Sequence, residues 1–232
     1  TPGSGTSTGL ASMALTLCLN TPPDQFDMLV LDLGPGSLAP LKNLPHVSAY
    51  VGPGEGAKER QTRFLRHLMV ELERRRSNPA NTRKLIILID GYGTLRDEFM
   101  EYTGTDYLGA FHRVYSEGPA LGMHFMMATS RLKGIPAVVS DVTQQRWLFH
   151  LSDSYDYTTY RIRGTDIPAA VPGRCVDSDT IRQIQVAIPQ MSLDDAVQQV
   201  VQRWGTVDKP DVIGQLPSLV HRSQLGVEPV IG

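Results

Sequence analysis

The sequence predicts an α/β protein built on a mainly parallel sheet with helices on both faces. Two observations carry that expectation. The runs FDMLVLDL (26–33), KLIILID (84–90) and GMHFMMATS (122–130) are continuously apolar rather than alternating, as strands buried on both faces must be. Between them lie segments with helical spacing of apolar residues, above all GAKERQTRFLRHLMVELERRR (56–76). Strands alternating with helices imply βαβ units, whose crossovers cover both faces of a parallel sheet.

The elements follow in order. Leu10, Met13, Ala14, Leu17 and Cys18 sit at helical spacing, and the helix that carries them, from Gly9 onward, ends at Asn20 ahead of Pro22 and Pro23. The strand at 26–33 stops at a glycine and a proline, and 84–90 is the least ambiguous buried strand in the chain. A polar, helix-compatible stretch separates it from the strand at 122–130. QRWLFHLS (145–152) reads as a further strand and TIRQIQVAI (180–188) as an alternating edge strand. SLDDAVQQVVQRWG (192–205) is a capped helix, with Ser192 as N-cap, an acidic first turn and Gly205 as the stop. Residues 1–205 are therefore expected to form the domain. Residues 206–232 have no clear period and read as a connector or a strap across the surface. No internal repeat is visible.

Composition narrows the function. Hydrophobic residues make up 41% and charged residues 20%, ordinary values for a chain with a real core. The net charge of −2, from 24 acids against 22 bases, counts against DNA as the main partner. Cys18 and Cys175 lie far from each other and from any metal-spaced histidine, so they read as reduced, buried thiols of a reducing compartment. No apolar run reaches 18 residues.

The opening stretch TPGSGTSTGL bears on chemistry. Small residues let successive backbone N–H groups curl around phosphate, and a helix starting directly afterwards adds its dipole. Aligned with the pattern G-x-x-x-x-G-K-[ST], Gly5 is the second glycine, Thr6 replaces the lysine, and Ser7 is the hydroxyl for Mg²⁺. Gly3, Ser4 and Thr8 complete the loop. The competing reading is a flexible Gly/Ser-rich terminus. Since such a loop normally follows a strand, a first strand is expected ahead of residue 1, in a longer polypeptide.

Asp90, closing KLIILID, is placed like the Walker B carboxylate that orients the metal's water shell. By itself it could equally cap the next turn. Gly91 stands where a hydrolytic enzyme commonly carries the glutamate that polarises water. After the strand at 122–130, Thr129, Ser130 and Arg131 are candidates for a γ-phosphate sensor, against a solvated arginine as the plainer reading. Two reacting groups are thus missing. Each loss is expected to remove ~2.7–4 kcal/mol of transition-state stabilisation, while the backbone nest and the Mg²⁺ site remain. The expectation is a nucleotide-holding domain with little or no turnover, in which restoring Thr6→Lys and Gly91→Glu together raises hydrolysis more than either change alone.

The phrases GSGTST with its helix, VLDLGPGSLAPLKNLPHVSAYV, RFLRHLMVELERRR, KLIILIDGYGTLRDEF, ALGMHFMMATSR and PGRCV together resemble the FtsK/SpoIIIE-type ATPases. More closely, the chain looks like a degenerate second or third module of the EccC/EssC proteins of type VII secretion. The resemblance covers roughly residues 1–205 and implies a RecA-like P-loop NTPase core with ATP and Mg²⁺ as ligands. Carried over by position, Gly3, Ser4, Gly5, Thr6, Ser7 and Thr8 match the phosphate loop, Ser7 and Asp90 the metal site, and Ser130 with Arg131 the sensor region. Thr6, Gly91 and Pro119 depart from the pattern; at Pro119, translocases often carry an arginine. The resemblance also implies neighbouring ATPase modules in one membrane-anchored polypeptide and a place on the cytoplasmic side of the membrane. It further implies recognition of C-terminal signals on small helical secreted substrates, and it leaves a hexamer open. The alternative is an active FtsK-like DNA-translocating ATPase, for which a basic face and DNA-stimulated hydrolysis would speak.

Overall fold

A computed structural model describes residues 3–79, 83–100, 106–132, 134–207, 209 and 211–214. The connector expected over 206–232 falls outside these from residue 215 on. Four parallel strands form the main sheet: β1 (Phe26–Asp32), β2 (Val47–Val51), β3 (Lys84–Asp90) and β4 (Met123–Ala128), in the order β2-β1-β3-β4. β1 and β3 pair without a slip from Phe26↔Lys84 to Asp32↔Asp90.

Period-2 alternation decides which helix each side chain meets. Leu29 and Leu31 of β1, with Leu85, Ile87 and Ile89 of β3, pack against α2 (Ala57–Ser77), α3 (Tyr92–Met100) and α4 (Tyr107–Glu117). Met28 and Val30, with Ile86 and Leu88, pack instead against α1 (Thr6–Asn20) and the C-terminal helix Leu193–Trp204. Helices therefore cover both faces, as the apolar runs predict. The same parity puts Asp32 and Asp90 on the α1 face.

Local chemistry explains the main helices. In α2, Phe64, Leu65, Leu68 and Leu72 are buried along one face, while Glu59 in the first turn and Arg74–Arg76 in the last suit the helix dipole. Arg75 is itself buried. It bonds Glu71 at 2.6 Å and donates to the carbonyls of Leu121 (3.0 Å) and Arg83 (2.7 Å), tying the helix to the starts of β3 and β4. The helix Leu193–Trp204 begins where Ser192 accepts from the Asp195 N–H at 3.1 Å, and stops at Gly205.

Three departures from the sequence reading stand out. α1 starts at Thr6, ahead of the expected Gly9, because Gly5 at φ +96° already turns the chain into the helix. β2 has no counterpart in the sequence reading, since VSAYV is short and only half-buried. After the short helix α5 (Ala137–Ser140), the strands expected at 145–152 and 180–188 shrink to β5 (Trp147–Phe149) and β7 (Gln183–Gln185). Both flank β6 (Arg174–Asp177) in a separate antiparallel sheet, order β5-β6-β7. The C-terminal helix, α6, then leads into a segment tied to both β1 and the outer strand β2: Lys209 bonds Asp27 at 2.7 Å, the Val212 N–H donates to Ser48 at 3.2 Å, and Ile213 is buried in the core.

Candidate functional site

The carboxyl ends of β1 and β3, where ligands of open α/β sheets bind, meet the start of α1. Gly3 (φ +79°) and Gly5 (φ +96°) hold the loop in the left-handed region that glycine enters without strain. Gly5 is the N-cap, and no side chain caps α1, nor is there an acid in its first turn. The N–H groups that open the helix are thus left for a ligand or water, with the positive end of the dipole behind them. Ser4 is buried, and its Oγ has no partner.

Asp90 is only 7% exposed, and its Oδ2 has no partner. Burial raises its proton affinity, a hydrogen bond from Ser7 opposes that, and the charge of Asp32 adds to it. Ser7 thus lies within reach of the Asp90 carboxylate. Asp32, which the sequence reading did not single out, is fully engaged: Oδ1 accepts from the Gly34 N–H (3.0 Å), and Oδ2 from the Leu38 N–H (2.9 Å) and the Tyr50 hydroxyl (3.2 Å). A Cβ at Gly34 would lie 3.3 Å from Asp32 Oδ1 and 3.6 Å from Asp90 Oδ2, so a side chain there would crowd both acids. The available signal was the parity of DMLVLD, which puts an acid at the end of β1 as KLIILID does for β3.

The donor set suits Mg²⁺. A serine hydroxyl and a buried carboxylate with a free oxygen are hard ligands, and Mg²⁺ draws the rest of its shell from phosphate and water. Among the described residues, no group of three or more His, Cys, Asp or Glu converges as a self-sufficient metal site. Bound there, the ion would neutralise phosphate charge that Thr6 cannot.

Gly91 is at φ +97°, and a Cβ there would stand 3.1 Å from Leu33 Cβ. Its carbonyl accepts from Thr94 and Leu95 to open α3. A glutamate at this position is strained, so Gly91→Glu does not simply restore the acid that the motif lacks.

The sensor candidates follow β4 beside Asp90, where the Gly91 N–H donates to Ala128. Thr129 and Arg131 bond each other locally, while the Arg131 guanidinium reaches Asp97 on α3 at 2.7 Å. Ser130 is exposed. Arg131 is thus engaged at α3, and its neighbour Lys133 lies outside the described residues.

Next to the loop is a cleft of about 280 Å³. Ser7, Thr8, Ser12 and Leu15 of α1 form one wall, with Ser37 and Leu38, and Ile188, Pro189 and Met191, completing it. Its lining combines apolar walls with a few hydroxyls. A larger hollow of about 550 Å³ opens at the opposite end of the strands, lined by Phe26, Arg83 and Lys84 among others, and contains none of the predicted site residues.

The sequence profile of the FtsK/SpoIIIE family matches residues 1–144. The ESX-1 secretion system protein EccCb1 of Mycobacterium tuberculosis is 25% identical over 98% of this chain, and the type VII secretion system protein EssC of Staphylococcus aureus 26% over 81%. The chain spans 43% of the first and 14% of the second. Among solved structures, Thermomonospora curvata EccC (ATPases 2 and 3) in complex with a signal sequence peptide aligns with TM-score 0.79 at 20% identity, covering 97% of this chain and 45% of that one. EssC (ATPases 2 and 3) from Geobacillus thermodenitrificans aligns with TM-score 0.77 at 19% identity, covering 96% and 46%. These likenesses carry the fold. The chain belongs to the FtsK/SpoIIIE family, and its homologues are the EccC and EssC ATPases of type VII secretion.

Proposed function

We propose that this chain is an ATP–Mg²⁺-holding module of a type VII secretion motor with little or no turnover, acting in regulation and substrate recognition. One observation carries the reading: an uncapped helix start stands over a Ser7–Asp90 pair whose buried carboxylate has a free oxygen, while Thr6 and Gly91 occupy the positions of the lysine and the glutamate. The backbone nest of Gly3 to Thr8 holds the phosphates, Ser7 and Asp90 hold the metal, and the adjoining cleft has room for a nucleoside. In this reading Ser130 and Arg131 serve as the γ-phosphate sensor, and Arg131 does so only by leaving Asp97. With neither a fixed cation on the loop nor a base at Gly91, binding outlasts chemistry.

The partners in this reading are neighbouring ATPase modules of the same polypeptide, in a membrane-anchored motor on the cytoplasmic side. The ligand of the working surface in this reading is a C-terminal signal of a small helical secreted substrate; the T. curvata EccC structure is of a complex with a signal sequence peptide. Among the described residues no helix is long and apolar enough to cross a membrane.

The test is to release bound nucleotide from purified protein by heat, identify it, and follow steady-state hydrolysis with and without duplex DNA. Recovery of ATP with negligible turnover is expected. Robust DNA-stimulated hydrolysis abolished by Asp90→Ala would hand the case to a DNA-translocating ATPase.

A further inference from the structure

The small antiparallel sheet touches the phosphate loop through backbone. The Gly173 N–H donates to the Ser4 carbonyl at 2.9 Å. A Cβ at Gly5 would lie 2.7 Å from Gly173 N, so the two chains meet with no room for a side chain. Gly173 is at φ +78°, in a turn closed by the Arg174 N–H to Val171 O (3.0 Å) and anchored by the Val186 N–H to Gly173 O (2.9 Å). One strand away, the Phe149 ring occupies the space beside Gly9, where a Cβ would stand 3.3 Å from Cζ. The sheet is thus seated on both the loop and the first turns of α1.

Peptide geometry gives this contact a consequence. In a trans peptide the C=O and N–H point in opposite directions. With the Ser4 carbonyl drawn to Gly173, the N–H of Gly5 in the same peptide unit points the other way, away from the small sheet. Glycine at position 5 would otherwise permit that unit to turn over and present the carbonyl to an anion. Since Thr6 brings no charge, the orientation of backbone donors decides whether phosphate is held.

We propose that the Pro172–Gly173 turn is a positioning element that keeps the phosphate loop in its anion-accepting form, so that anion binding and order in the small sheet are linked. Such linkage is reciprocal: what the turn does for the anion, the anion does for the turn. From β7 the chain runs on through Ile188, Pro189 and Met191, which line the adjoining cleft, so a bound nucleotide touches the sheet's continuation as well. This inference rests on the nucleotide-holding reading.

The experiment is hydrogen–deuterium exchange on the full chain, alone and saturated with pyrophosphate–Mg²⁺ or with ATP–Mg²⁺, together with affinities for Gly173→Ala and Phe149→Leu. Exchange over 171–187 is expected to slow several-fold on binding either probe. Gly173→Ala, whose Cβ would stand 2.9 Å from Gln185 Nε2, is expected to weaken both probes roughly tenfold or more; Phe149→Leu keeps the backbone contact and weakens them less. Probes that bind without slowing exchange over 171–187 would overturn the inference and leave the nucleotide reading standing, as would a folded Gly173→Ala that binds like the parent. If the parent binds neither probe, both readings fail together.

Discussion

Asp32 and Asp90 are register partners at the ends of adjacent parallel strands, two buried carboxylates side by side. They differ in one respect: Asp32 accepts three hydrogen bonds, whereas Asp90 keeps one oxygen free. The first is a fixed part of the scaffold and the second is poised for a cation.

That asymmetry predicts opposite effects of one substitution. Asp90→Asn removes a buried charge that burial and Asp32 both disfavour. Without ligand the variant is expected to be more stable than the parent by about 1–2 kcal/mol. It should also lose most of the thermal stabilisation given by ATP–Mg²⁺. Melting curves with and without nucleotide check both halves; a variant destabilised in the absence of ligand would contradict the first.

The phosphate loop predicts an unequal pair. Thr6→Lys supplies a cation where only backbone donors stand and should tighten nucleotide binding by roughly tenfold. Gly91→Glu must enter the left-handed region against Leu33 and is expected to cost about 1–3 kcal/mol of stability. Calorimetric affinities and urea melts of the two single variants and the double variant separate binding from strain. The double variant should hydrolyse ATP faster than either single variant only if it still melts as one cooperative unit.

Arg75 is 3% exposed and joins Glu71 to the carbonyls of Leu121 and Arg83. Arg75→Met leaves the Glu71 carboxylate with Arg74 alone and those two carbonyls without this donor. A loss of about 3–5 kcal/mol is expected, read as a lower urea midpoint. The surface pair Arg113–Glu117, half-exposed on both sides, should matter far less when Arg113 is replaced by alanine.

His46 is fully buried, stacks on Phe26, bonds the Thr21 carbonyl through Nε2 at 2.8 Å, and has no partner at Nδ1. Burial holds its pKa below the usual 6.5, with the Thr21 hydrogen bond opposing. A depressed histidine is neutral in the fold but takes up a proton when the chain unfolds. Its contribution is therefore intact above pH 6.5 and is lost as pH falls from there towards the folded value, with a slope of at most about 1.4 kcal/mol per pH unit. His67 and His112, lowered by burial as well, act in the same direction. Urea melts at successive pH values should show declining stability below neutrality, with a shallower decline in His46→Gln.

Much of this protein was legible as sequence. KLIILID reads as a buried strand ending at Asp90 because a strand enclosed on both faces has to be apolar throughout. The spacing of Phe64, Leu65, Leu68 and Leu72 sets one face of α2, and Ser192 with Gly205 bounds α6. The small residues from Gly3 to Thr8 announce a tight turn into a helix, which starts at Thr6. These are local properties, decided within one or two turns of chain.

The tertiary structure alone decided the rest. Nothing within WLF or QIQ tells that they join RCVD in a second, antiparallel sheet, because strand pairing depends on partners far along the chain. Asp32 carries no motif of its own and becomes significant only when register sets it beside Asp90. Arg131 reads as a sensor by position, yet folding turns its guanidinium to Asp97. The seat of Gly173 on Gly5 depends on the absence of two side chains, and two glycines far apart in sequence do not announce that they will touch.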